Sequence, residues 1–264
     1  MKNLARVFTT VVFALVSSLA LAAEQPAHKA EDLDRWLEEY MKVFSSPAGI
    51  DEQKAFYTEA AAKGNIFVSL SLERIAQIRK DEAEARKWAQ ASEANNVMGV
   101  LNELAVSDAR AQYLVGFAFS RGLAQTPTNE AAAFDWFRKA AEQGSVEGQV
   151  KLGDMYDQGQ GVNKDEAQAV AWYRKAAEQG HFDAQFILGG MIMNGQGVNK
   201  DEAQAAAWVR KAAEQGYDQA QYVLGLLYLH GQGVNKDKAQ AAAWWRKAAE
   251  QGHAEARKEL DGLQ

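Results

Sequence analysis

Few residues in this chain could do chemistry, and their spacing narrows the set further. Four histidines, His28, His181, His230 and His253, could bind a metal or move a proton, but no two stand at ligand spacing within one helix. His181 and His253 hold equivalent places in a repeated pattern, so helix-packing distances of about 10 Å put them roughly 20 Å apart. Both read as exposed helix-start residues. A serine nucleophile activated by a lysine one helical turn later needs the pattern Ser-x-x-Lys. None of the ten serines has that lysine. The Gly-x-Gly triplets at 159–161, 195–197 and 231–233 look like phosphate cradles, which should follow a strand and continue to a third glycine or a Lys-Ser/Thr pair. Here they follow a helical pattern and lead into Val-Asn-Lys-Asp, so they read as a helix stop and a tight turn. The carboxylate pair Asp165-Glu166 sits at a predicted helix start, where it complements the helix dipole. No catalytic residue, metal site or cofactor is assigned.

The elements that carry these residues are repeats. Trp136, Trp172, Trp208 and Trp244 stand 36 residues apart, inside segments ending in RKAAEQG at Gly144, Gly180, Gly216 and Gly252. Units 145–180, 181–216 and 217–252 have one length, while the unit before them carries an extra loop residue around Thr126-Pro127-Thr128. Each unit predicts two helices. In 181–194, Ala184, Leu188 and Ile192 recur every four residues and form an inward stripe. Gly195 and Gly197 then break the helix, and a second helix starts around Asn199–Asp201, where short polar side chains can cap free N–H groups. Its predicted buried face is Ala205, Trp208 and Ala212, which makes the tryptophan column core. One such pair cannot bury its own apolar face, so neighbours must stack.

Weaker copies of this pattern extend upstream through 50–108, where Lys80-Asp81-Glu82-Ala83 leads to Trp88 and Phe56–Gly64 resembles WYRKAAEQG. Residues 23–49 are expected to hold a capping helix, with Leu33, Trp36, Leu37, Tyr40, Met41 and Phe44 on one face. Residues 253–264 are expected to close the other end, with Ala256 and Leu260 inward and Glu255, Lys258 and Glu259 outward.

The run Ala220, Gln221, Leu224, Gly225, Tyr228, Gly231, Gly233, Val234, Asp237, Ala239, Trp244, Arg246 and Ala248–Gly252 resembles the Sel-one-like repeat, a cousin of the tetratricopeptide repeat. The likeness is strong over four repeats in 109–252, weaker over 50–108 and absent in 24–49. Gly148 and Ile192 depart from the family's Ala and Tyr. The resemblance implies an all-α fold, a right-handed α-solenoid of stacked helix-turn-helix repeats whose first helices line the concave side. It also implies a non-catalytic interaction scaffold. The alternative is a cell-wall or β-lactam-directed hydrolase, as described for cysteine-rich relatives, but this chain has neither cysteine nor the serine–lysine motif.

Comparing the chain with itself locates the variation. Positions 195–216 and 231–252 agree at 20 of 22 places, differing only at Glu202/Lys238 and Val209/Trp245, while 181–194 and 217–230 agree at 4 of 14. The second helix carries scaffold and the first carries difference. Along the outward stripe of the first helix, Glu147, Val150, Lys151, Asp154 and Asp157 give way to Phe186, Ile187 and Met193. The next unit places Tyr222, Val223, Leu226 and Leu229 there. These seven apolar residues are the candidate binding surface for an unidentified protein or peptide.

The composition supports a folded chain: 264 residues, 47% hydrophobic and 24% charged. A net charge of −6 removes general attraction to nucleic acid or an anionic membrane. The absence of cysteine excludes a disulfide scaffold, a thiolate metal site and a lipid on cysteine. Residues 1–22 read as a signal peptide: Lys2 and Arg6, then an apolar run, then Ala20-Leu21-Ala22. That run is short for a spanning helix, so no stable membrane insertion is expected after cleavage, and a periplasmic or secreted location follows. Cleavage between Ala22 and Ala23 is expected. Intact mass of protein from an exporting cell should begin at Ala23; soluble envelope protein retaining Met1 to Ala22 overturns this.

Overall fold

A computed structural model describes residues 54–55, 57–59 and 68–262. The expected signal peptide with its Ala22–Ala23 junction, the 23–49 capping helix and most of Phe56–Gly64 lie outside the described residues. Among the described residues there are twelve principal helices and no strand. They fall into two compact units: one runs up to Ser107 and takes in Arg121–Thr128, the other comprises Asp108–Ser120 and the chain from Asn129.

In the first unit, α1 (Val68–Ile78) packs on α2 (Glu82–Ala94), which is followed by α3 (Val97–Leu104). Asp81 starts α2 by accepting the Glu84 N–H at 3.0 Å. Ser92 donates to Ser69 at 2.8 Å inside the α1–α2 contact. Glu73, 3% exposed, accepts the Ala124 N–H at 2.9 Å. Burial pushes its carboxyl above the usual range, and that N–H opposes the shift.

The second unit is a row of helix pairs. It runs α4 (Ala109–Arg121), α5 (Glu130–Glu142), α6 (Val146–Gln158), α7 (Glu166–Glu178), α8 (Phe182–Asn194), α9 (Glu202–Glu214), α10 (Asp218–His230), α11 (Lys238–Glu250) and α12 (Ala254–Gly262). From α5 to α12 each helix packs on its neighbours in sequence. Asp165, Asp201 and Asp237 cap α7, α9 and α11 by accepting the N–H three residues on, at 2.9 to 3.0 Å. Each second helix ends in a glycine of positive φ, Gly180 at 96° and Gly216 at 94°, whose N–H returns to the helix's last turn.

Two devices join one repeat to the next. The first is the second glycine of each Gly-x-Gly. A Cβ on Gly197 would land on the Glu166 carbonyl, and one on Gly233 on the Glu202 carbonyl, at the start of the preceding repeat's second helix. The triplets are stacking contacts. The second device is a buried amide clasp. Gln185, 4% exposed, donates to Ala177 O at 3.0 Å and accepts from Gln215 Nε2 at 2.8 Å. Gln215 also donates to Gly180 O at 2.9 Å. The same set recurs as Gln149 with Gln179 and as Gln221 with Gln251.

Gly148 has a plain cause: a Cβ there would lie 2.9 Å from both Ala140 Cβ and Ala141 N. Ile192 is fully buried. Replacing Gln185 by Met keeps its volume but strips the clasp from carbonyls at the end of α7. The expected loss is about 1–3 kcal/mol in urea unfolding. A change within a few tenths of a kcal/mol would show that water replaces the amide freely.

Candidate functional site: the outward row of first helices

The side chains that distinguish the repeats lie on α6, α8 and α10. Their inward positions are sealed: Leu152, Ala184, Leu188, Ile192, Ala220 and Leu224 have no exposure. The seven candidate residues, Phe186, Ile187, Met193, Tyr222, Val223, Leu226 and Leu229, are all half-buried. Each packs against the core while keeping part of its surface open. Phe186 meets the Tyr217 ring edge-on at 5.3 Å, and Tyr222 stacks on His253 at 4.7 Å. These two rings therefore also close the seams between repeats.

The polar end of the row is built on α6. Asp154 accepts from Tyr173 Oη at 2.7 Å and from Lys151 Nζ at 2.9 Å. Burial pushes the Tyr173 phenol well above its usual range, and the neighbouring Asp154 charge adds to this. Tyr217 is shifted upward too, first by burial and then by Asp183. At the far end burial and then the carboxylates of Glu259 and Glu255 push the Tyr222 phenol up.

The histidines differ from expectation. His181 and His253 do start helices, but neither is exposed. Each turns Nδ1 onto a backbone N–H, that of Ala184 and that of Ala256, both at 3.3 Å. His253 Nε2 lies 3.2 Å from Gln219 Oε1, and its Nδ1 also lies 3.3 Å from the Glu255 carboxylate. Burial pushes the His181 imidazole below its usual value, against the pull of Asp183 and Glu147, so it stays neutral and keeps its capping lone pair. Among the described residues, no three His, Cys, Asp or Glu side chains gather as around a metal ion.

The tryptophan column is a correction. Trp136, Trp172, Trp208 and Trp244 are half-buried, each with a lysine ammonium 3.7 to 4.1 Å from its ring centre. The buried position is the next residue: Phe137, Tyr173, Val209 and Trp245. These lie beneath Gly116, Gly153, Gly189 and Gly225, where a Cβ would press into the side chain below. Trp245 is completely buried and donates from Nε1 to Tyr222 O at 3.0 Å. The signal was available in the sequence, since every first helix carries a glycine at that place and each tryptophan of the column is followed by a second large or branched side chain, Phe137, Tyr173, Val209 or Trp245.

The Sel1 repeat family profile matches residues 72–96, 109–145, 146–181, 182–217 and 218–253. The chain belongs to the Sel1 repeat family. Among solved structures, a Sel1 repeat protein from Oxalobacter formigenes is 36% identical with a TM-score of 0.61, over 70% of this chain and 74% of that one. A protective antigen present in uropathogenic Escherichia coli strains, displaying an SLR fold, is 30% identical with a TM-score of 0.57 over 90% of this chain. This chain covers 50% of that antigen's length. No curated protein matches it. As a Sel1 repeat protein it is an all-helical scaffold of the kind that typically engages other proteins. No helix among the described residues is long and apolar enough to cross a membrane.

The exchange of Trp208 for Val209 in the core sets a measurable order. Trp245→Ala should cost about 3–5 kcal/mol, the usual loss for a buried aromatic. Trp208→Ala should cost about 1–2 kcal/mol, since it loses partial burial and one lysine contact. Denaturant unfolding of the two variants checks this; equal losses overturn the assignment.

Proposed function

We propose that this Sel1 repeat protein is a non-catalytic scaffold of the bacterial envelope or of the space outside the cell, and that it holds a protein or peptide on the outward row of α8 and α10. The observation that carries the reading is the contrast within a repeat. Second helices are almost copies, while the first helices present seven half-buried apolar side chains that differ from unit to unit. A scaffold that only stacked would have no reason to vary there. Partly open Phe, Tyr, Met and Leu side chains suit adaptable contact with another chain.

The non-catalytic part of the reading is supported by the work already given to the reactive groups. The capping histidines hold helix starts, Asp165 caps α7, and the glycine triplets stack repeats. The location is supported by the leader-like residues 1–22. Burying the strip at about 25 cal/mol per Å² supplies several kcal/mol before association costs.

The test is selection of a displayed random-peptide library on the full chain, followed by rebinding of the enriched peptides. Leu226→Asp with Leu229→Asp should reduce that binding by about a hundredfold or more while the protein still unfolds cooperatively. Retained binding places recognition elsewhere. If the double variant does not fold, Leu226→Ser alone, at a half-buried position, repeats the comparison. A chromogenic β-lactam should stay intact with the purified protein; hydrolysis overturns the non-catalytic part.

A further inference from the structure

Two adjacent glycines in α8 have different causes. Gly189 is required by packing, because a Cβ there would lie 2.8 Å from Val209 Cγ2 and 3.1 Å from Ala205 O. Gly190 is exposed, and a Cβ there would meet nothing within 4 Å. A glycine inside a helix weakens it relative to alanine, and neither core packing nor backbone geometry asks for this one. Its φ is not positive. In the neighbouring repeats its place is taken by Asp154 and Leu226. The row of outward side chains is therefore interrupted at its centre by a notch reaching the α8 backbone. Ile187 and Met193 stand one turn before and after it on the same helix.

The charges around the notch are unbalanced. Glu147, Asp154, Asp157 and Asp183 lie toward the α6 end, and Glu255 and Glu259 lie toward the α12 end near Tyr222. Against these six carboxylates the outward positions of α6 and α12 hold two ammonium groups, Lys151, which is paired with Asp154, and Lys258. On α4, Arg110 is paired with Asp108. An apolar centre with acidic ends favours a partner of the opposite pattern.

We propose that the row takes a basic segment of a partner protein, with one bulky apolar side chain seated over Gly190 and lysine or arginine side chains meeting the carboxylates at either end. The inference rests on the binding reading above and names the partner's chemistry. A second copy of this chain is disfavoured by its own net charge of −6.

The experiment titrates two fluorescein-labelled peptides into the full chain and follows anisotropy. One is built of lysine, leucine and phenylalanine, the other has glutamate in place of lysine. The lysine peptide should bind about tenfold or more tighter, with most of the difference lost at high salt. Gly190→Leu should fill the notch and weaken the lysine peptide about tenfold while the thermal midpoint stays the same or rises slightly. Glu255→Lys with Glu259→Lys should weaken it as well.

Equal affinity for the two peptides, or full affinity in Gly190→Leu, overturns the proposal. If both peptides bind equally and Leu226→Asp with Leu229→Asp abolishes both, the strip still binds partners but not by charge. If that double variant keeps the lysine peptide, binding lies elsewhere and the functional reading fails too. Self-association that disappears in Gly190→Leu assigns the notch to a second copy and overturns the basic-segment proposal.

Discussion

An amide side chain buried at the seam between repeats holds the second unit in register. A second helix ends with carbonyl groups that have no partner within the helix. Gln185 and Gln215, from one repeat, reach back to Ala177 O and Gly180 O of the repeat before and hydrogen-bond each other between them. The contact is directional where the surrounding alanines are not. Ala176, Ala177, Ala212 and Ala213 bury well in several registers, but only one places both amides on both carbonyls. Gly197 and Gly233 act at the other end of the same seam, where only a glycine lets the backbones meet. With both ends of each seam specified, stability becomes a sum of repeats and nearest-neighbour contacts.

That division explains which residues are free to differ. The clasp, the caps and the close glycines all lie on the turn, on the second helix or at the start and inward side of the first. Their repetition is the near-identity of 195–216 and 231–252. Apart from Tyr222 on the capping His253 and Glu147 beside the capping Ser145, the outward stripe of the first helix stands clear of these devices. Its side chains are half-buried because each lies across the groove toward a neighbouring helix, as Phe186 does with Tyr217. They contribute some packing and leave the remainder of their surface open.

Much of this was legible in the sequence for a physical reason: period, caps and stops are local. Ala184, Leu188 and Ile192 mark an inward stripe by spacing alone, and Asp201 and Gly216 mark the ends of α9 by their chemistry. The tryptophan column was misread because α9 is buried along a broad face. Ala205, Ala206, Val209, Ala212 and Ala213 all lie inside, which leaves Trp208 at the margin of that face under Lys211. A pattern of apolar residues gives the centre of such a face poorly when small residues fill it, and the largest side chain drew the assignment. The glutamine clasp was hidden for another reason. Its members stand 30 residues apart, and a polar residue gives no periodic sign of being buried. The strip on α8 and α10 was visible only because the chain supplies its own comparison.

The remaining variation in the second helix belongs with the first. Next to the outward position of each repeat is a glycine seated on the buried residue after the tryptophan, and that buried residue and the outward one both differ from repeat to repeat. In one repeat Tyr173 sends its hydroxyl to Asp154. In the next, Val209 has no polar atom to offer and lies under Gly189, while a Cβ on the following Gly190 would meet nothing within 4 Å. In the third, Trp245 fills the space completely, donates to Tyr222 O, and lies under a face carrying Leu226. The half-buried carboxylate of Asp154 is held by the Tyr173 hydroxyl and by Lys151, whereas the half-buried Leu226 is held by packing alone. Of the two differences between otherwise identical second helices, Val209/Trp245 is therefore part of the outward row's design.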